Sequence, residues 1–286
     1  MKKETAMTKA IDAWCNIFTH EGMEKYYRSV EGIMFAFKLF KREYMLEGST
    51  VEEFLAKMDA TGVDKVCIPA YQVKKFQAEM LQAMPMEELA KVIDQAPDRL
   101  IGMVGIHPYR RMDAVRDIVR GVEEFGFKAA HIHPYGFGIP INDATYYPMY
   151  AKCVELDIPV EIQVGHSAEQ MPSSVGKPLL LDDIAIYFPE LRIIGAHIGW
   201  PWVDEMIAIT WKHPNVYIAT SAHAPKYWNP TFVKFLNSRG MNKVLYATDF
   251  PVLNHEETLA QIAELGLKEK ALQKFLRENA IKVFKL

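Results

Sequence analysis

Short apolar runs alternate with amphipathic segments along this chain. The runs at 9–15, 64–69, 101–107, 127–133, 158–164, 191–197, 215–220 and 243–249 read as eight strands. The segments at 86–95, 112–125, 146–156, 179–188, 202–212, 230–239, 255–264 and 268–284 place apolar residues at helical spacing. Ser49-Thr50-Val51-Glu52-Glu53 offers overlapping capping boxes ahead of Phe54, Leu55 and Met58, so a helix starts there too. Strands that alternate with helices pair in parallel, because each crossover is made by a helix. The pattern predicts an α/β fold, a closed (β/α)8 TIM barrel formed by residues 1–286 as one domain. An open doubly wound sheet is the alternative. It would carry a Gly-rich loop after the first strand, where this chain has Ala13-Trp14-Cys15-Asn16.

Residues 18–48 form the longest excursion, following the first strand. They are rich in large apolar side chains: Tyr26, Tyr27, Met34, Phe35, Phe37, Phe40, Tyr44 and Met45. The segment reads either as a lid over the catalytic face or as an extra helix packed on the barrel or in an interface.

Composition narrows the partners. The chain has 286 residues, 50% hydrophobic and 24% charged, with net charge −3. That balance gives no reason to expect nucleic acid or an anionic membrane as partner. The polar start Met1-Lys2-Lys3-Glu4-Thr5 leads straight into a strand, so a cytoplasmic protein is expected. Cys15, Cys67 and Cys153 are widely spaced and read as reduced packing residues.

Two strands end in chemistry. Val244-Leu245-Tyr246-Ala247-Thr248-Asp249 delivers a carboxylate to its tip, and Arg192-Ile193-Ile194-Gly195-Ala196-His197 delivers an imidazole. Strand alternation extends the list. With Asp249 inward, Ala247 and Leu245 follow; with His197 inward, Gly195 and Ile193 follow. The first strand then turns Asp12, Trp14 and Asn16 to one face. The third ends in Gly105 and His107, the fourth in Ala129, His131 and His133. The fifth offers Glu161, Gln163 and Gly165, with His166 just beyond. Five of the nine histidines thus fall at strand C-termini, the face on which such barrels build sites. Arg110 and Arg111 follow His107 and could meet a carboxylate. Ser221 and His223 read as loop residues.

The chain resembles the amidohydrolase-related family, in the branch that includes aminocarboxymuconate-semialdehyde decarboxylase. The likeness rests on Ile11-Asp12-Ala13, Ala56 to Asp64, Tyr147-Pro148-Met149-Tyr150 through Leu156 to Val160, and Phe188-Pro189-Glu190-Leu191. It continues in Gly195-Ala196-His197-Ile198-Gly199, His213-Pro214-Asn215-Val216-Tyr217, Tyr246 to Pro251 and Asn279 to Phe284. The resemblance implies a (β/α)8 barrel that hydrolyses or decarboxylates small acids, often with a divalent metal. The family's His-x-His metal ligands fall on Trp14 and Asn16, and its strand-5 histidine on Gln163. Of the usual ligands only His197 and Asp249 remain.

Three readings follow. In the first, Asp249 and His197 are an acid–base pair that hydrolyses an ester, lactone or amide bond in a small carboxylate-bearing substrate, with no cofactor. His166, His133, His131, His107, Gln163, Asn16 and Trp14 would bind the substrate. Decarboxylation of an aromatic or unsaturated acid by the same groups is its alternative. In the second, one divalent metal such as zinc is held by His166, His197 and Asp249. In the third, the barrel is non-catalytic and serves as a binding or scaffold protein. A homodimer is expected by analogy.

Overall fold

The computed structural model describes residues 9–39 and 41–286. The polar segment 1–5 and Phe40 lie outside the described residues. Eight parallel strands form one sheet in sequential order: β1 Ala10–Asp12, β2 Val63–Pro69, β3 Leu100–Gly105, β4 Ala129–Ile132, β5 Val160–Ile162, β6 Ile193–Gly195, β7 Val216–Ala219 and β8 Val244–Leu245. Backbone bonds bring β8 back to β1: Ala13 N–H donates to Tyr246 (2.8 Å), Asp249 N–H to Trp14 (2.8 Å) and Asn16 N–H to Phe250 (2.9 Å). The result is the expected TIM barrel. Helices such as Val51–Thr61, Met112–Glu123 and Val203–Lys212 cover its outside. Thr50 and Glu53 make the anticipated capping box.

Two apolar layers follow from the pleat. Val66, Ile68, Val104, Ile132, Val160, Ile162, Val216 and Ile218 face the helices, among a core that includes Phe54, Met58, Leu89 and Ile118. Ile11, Cys67, Ile101, Met103, Ala129, Ile194, Tyr217, Ala219 and Leu245 belong to the inner cluster, together with Val283 and Phe284 of the last helix. All three cysteines are free and buried. No described helix is long and apolar enough to cross a membrane.

At two strands the inward face differs from the expected one. On β6, Ile194 and Ala196 are inward, whereas Ile193 belongs to the outer core. A Cβ on Gly195 would meet Met206 and Leu181 of the helix layer. His197 reaches the mouth by another route: it and Ile198 take left-handed backbone, φ 58° and 48°, just past the strand. On β1, Ile11, Ala13 and Trp14 are all inward, because the chain bends at Ala13. Asp12 does not line the mouth. It sits in the seam between β1 and β8, accepting from Trp14 N–H and Thr248 N–H (both 3.0 Å), from the Thr248 hydroxyl, and facing His255 Nε2 at 2.9 Å.

The segment after β1 folds as short helical pieces, including His20–Met23, Glu31–Leu39 and Glu43–Leu46. It is fastened at both ends of its path: Lys25 and Tyr26 hold Glu88 (2.6 and 2.9 Å), and Arg42 holds Glu257 (3.0 Å). A small antiparallel hairpin, Gln72–Lys74 with Met80–Ala83, extends from β2. Sequence periodicity did not reveal it. It carries Val73, and Tyr71 directly before it, into the inner cluster.

Candidate active site

Trp14 is the hub of the barrel mouth and is fully buried. Its ring stands 4.6 Å from the His131 ring, 4.9 Å from His197 and 6.2 Å from Tyr71. Tyr71 in turn lies edge-on to His131 at 5.1 Å. The indole N–H donates to Asn16 Oδ1 (2.9 Å), and Asn16 Nδ2 donates to Asp249 Oδ1 (2.8 Å). Trp14 is thus linked through Asn16 to the β8 tip.

Asp249 has left-handed backbone, φ 59°. Burial pushes its carboxyl up to about 8; the Asn16 bond opposes this, and the Glu169 and Asp12 charges add to it. With Oδ1 taken by Asn16, the acid proton belongs on Oδ2. His197 is pushed down to about 3 by burial, so its ring is a neutral imidazole at physiological pH. Ser221 is buried and directs that ring: its hydroxyl lies 3.0 Å from His197 Nδ1 and accepts from the His197 N–H at 3.2 Å. The reading of Ser221 as a solvated loop residue is corrected by these bonds.

β4 sends His131 and His133 inward, 1% and 2% exposed. Neither ring has a hydrogen-bond partner at either nitrogen among the described residues. Burial lowers the pKa of His131 well below the ordinary value. Glu161 sits beside His131 in register on β5, fully buried with both oxygens unpartnered; burial, then the Asp12 and Asp249 charges, raises its carboxyl well above the ordinary value. Gln163, next inward on β5, is also buried.

The loop after β5 brings Glu169 to His133, Oε1 3.7 Å from Nε2. Ser167 Oγ donates to its other oxygen at 2.7 Å. Burial alone would raise the Glu169 carboxyl; His133 and Ser167 outweigh it and hold the group down to about 2. Glu169 and Tyr71 lie in a loop and beside a hairpin, where no periodic signal marks them.

The remaining candidates separate from this hub. His166 is exposed and packs edge-on against Trp200 at 4.7 Å, with His223 on the same indole at 5.8 Å. His107 packs against Phe137 at 4.9 Å. Arg110 pairs with Asp117 at 2.7 Å, so its charge is already matched.

The chain is similar to several known enzymes. It is 28% identical to the 2-keto-4-carboxy-3-hexenedioate hydratase of Sphingobium over 39% of this chain, a match spanning only 38% of that protein. It is 23% identical to the gamma-resorcylate decarboxylase of Rhodococcus jostii, covering 75% of this chain and 83% of the relative. Among solved structures, an uncharacterised TIM-barrel protein from Bordetella bronchiseptica superimposes with TM-score 0.79 at 20% identity, over 96% of this chain and 98% of that one. The 5-carboxyvanillate decarboxylase of Novosphingobium aromaticivorans, complexed with manganese and 4-hydroxy-3-methoxy-5-nitrobenzoic acid, does so with TM-score 0.73 at 22% identity, over 97% and 96%.

These likenesses correct two expectations. Hydrolysis of an ester, lactone or amide is overturned, because the relatives and neighbours that cover most of the chain include gamma-resorcylate and 5-carboxyvanillate decarboxylases. The expectation of no cofactor is overturned as well, since decarboxylase neighbours hold manganese. The fit of such an ion to these residues is a separate question, and the donor chemistry is poor. The Trp14 indole only donates, and the Asn16 oxygen is already accepting from it. Among the described residues no three His, Cys, Asp or Glu side chains converge to hold a metal. The alternative set of His166, His197 and Asp249 does not converge either. The residues therefore do not match the ion those neighbours contain. From residue 11 to residue 286 the chain matches the amidohydrolase family model, and it belongs to that family.

Proposed function

We propose that this chain is a carbon–carbon lyase that removes CO2 from a small aromatic carboxylic acid. The observation that carries the reading is the Asp249 carboxyl: raised to about 8, bonded through Oδ1 to Asn16, and set beside the Trp14 hub. A protonated acid beside an aromatic wall suits the transfer that decarboxylation needs. Oδ2 gives its proton to the ring carbon that bears the carboxylate. The C–CO2 bond then breaks and its electron pair returns to the ring as CO2 leaves. His197, neutral and aimed by Ser221, meets the substrate carboxylate as a hydrogen-bond partner. Trp14 and Tyr71 flank the ring, and His131, His133, Gln163 and Asn16 supply polar contacts. The decarboxylases among its relatives support the same class.

The test is incubation with a panel of hydroxylated benzoates, following released CO2 and the arene product together. Stoichiometric CO2 and arene from at least one acid is expected. No CO2 from any of them, at high enzyme concentration, rejects the reading. A narrower expectation concerns Ser221→Ala. Losing one neutral hydrogen bond to His197 should lower kcat about two- to tenfold with KM little changed. An unchanged kcat would show that the serine does not direct the ring.

A further inference from the structure

The segment after β1 sends a tyrosine towards the barrel mouth. Tyr27 lies in the helical turn Glu24–Arg28 and is 6% exposed. Its carbonyl accepts from Val30 N–H at 3.1 Å, and its ring stands edge-on to Phe37 at 6.4 Å. The Gln82 amide donates to the neighbouring Tyr26 carbonyl, which ties this turn to the hairpin after β2. The same hairpin holds Tyr71, 8% exposed, whose carbonyl accepts from Met84 N–H at 2.9 Å. A Cβ on Gly105 would stand 1.8 Å from Ala70 O, so a glycine on β3 lets the chain before Tyr71 pass this close. Tyr71 in turn stands against Trp14 and His131, at 6.2 and 5.1 Å between ring centres.

Two tyrosines from different loops are thereby fixed by one hairpin at the Asp249 end of the hub. Burial, then the Asp249 charge, raises both phenols well above the ordinary value, so both keep their protons. What those protons can reach is narrow. The Tyr71 hydroxyl lies against the Trp14 indole, which only donates, so the hydroxyl accepts there and its own proton points elsewhere. The Tyr27 hydroxyl has no hydrogen-bond partner among the described residues. The side-chain charges that act on Asp249, from Glu169 and Asp12, are both negative. An anionic group arriving beside Asp249 gains nothing from them and is held by donors that carry no charge.

We propose that the Tyr27 and Tyr71 hydroxyls donate together to the substrate carboxylate, and that the segment after β1 thereby supplies half of the carboxylate site. This rests on the decarboxylase reading and assigns the partners of the group that leaves. Hydrogen bonds to an ionised acceptor are the strong ones. These two act on the acid more than on what it becomes. As the C–CO2 bond breaks, negative charge passes from the carboxylate to the ring, and the CO2 that forms is a weak acceptor. The pair therefore sets KM rather than kcat. It also selects a carboxylate over a neutral group of the same shape.

The test compares benzoate with benzamide, its neutral isostere, by calorimetry on the full chain. Wild type is expected to bind benzoate about tenfold more tightly than benzamide. Tyr27→Phe and Tyr71→Phe should each weaken benzoate by about tenfold, as for one lost hydrogen bond to a charged group, and benzamide by less than about threefold. With an acid that is turned over, each variant should raise KM by about tenfold and change kcat by less than about threefold. A tyrosine that only packs against Asp249 would lower kcat instead. No benzoate binding to wild type, benzoate affinity unchanged in both variants, or equal losses for benzoate and benzamide overturns the proposal. The expected benzoate losses without CO2 release from any acid reject decarboxylation alone; CO2 release with KM unchanged in both variants rejects the tyrosine pair alone.

Discussion

Asp249→Asn is expected to abolish turnover, by roughly 10³-fold or more, the upper part of what a general acid contributes. The substitution is conservative in shape. An asparagine oxygen can still accept from Asn16 Nδ2, so the bond that orients the side chain survives. What is lost is the transferable proton. Single-turnover CO2 release together with a far-UV spectrum separates the outcomes: a folded protein with near-wild-type release would remove Asp249 from the chemistry. The wild-type pH profile should agree. An acid titrating near 8 is competent below that pH, so kcat should be sustained towards neutrality and fall as pH rises through about 8.

The same carboxyl has a stability consequence of definite sign. Its folded pKa lies above the ordinary value of 3.8, so the native state binds the proton more tightly than the unfolded chain. Its contribution is full below about pH 4 and is lost as pH rises towards 8. Asp249→Asn does not carry that dependence. Its stability relative to wild type should therefore grow between pH 4 and 8, reaching on the order of 1–3 kcal/mol once partial solvent screening is allowed for. Activity and stability would then move in opposite directions at one position, as they do where a site is held under strain.

How much of this was legible in the sequence depends on how local each feature is. The barrel strands are buried on both faces and read as continuous apolar runs, so all eight were visible. On β8 Leu245 and Ala247 lie in the inner cluster, as placing Asp249 inward required of the alternation. On β6 the same logic gave the wrong face, because extended geometry stops at Gly195 and the left-handed turn at His197 resets the side-chain direction. At β1 the bend at Ala13 turned Trp14 inward and left Asp12 in the seam. Tyr71 and Glu169 were missed, and Ser221 was read only as a loop residue, for a different reason: they come from a hairpin flank and two loops, where neither period applies. Hydrolysis and decarboxylation could not be separated by residue type. An acid and an imidazole serve either reaction, and the likeness to whole decarboxylases is what favours the proposed one.

The seam residue leads to the second large effect. Asp12→Ala is expected to destabilise the fold by about 3–5 kcal/mol, the cost of removing one partner from a buried, hydrogen-bonded charge. Asp12 is completely buried and is the shared acceptor for Trp14 N–H, Thr248 N–H, the Thr248 hydroxyl and His255. Alanine would strand all of these donors in a place that water reaches poorly. They lie where β8 returns to β1, so the weakened part is the closure of the barrel. Trp14 O, next to that closure, receives the Asp249 N–H. Loosening the seam should therefore displace the Asp249 carboxyl as well, and lower kcat before global unfolding is reached. Urea titration checks the first effect: a lower midpoint with an unchanged slope is expected. A midpoint equal to wild type would mean that the seam closes without Asp12, and that the barrel is held there by its backbone bonds alone.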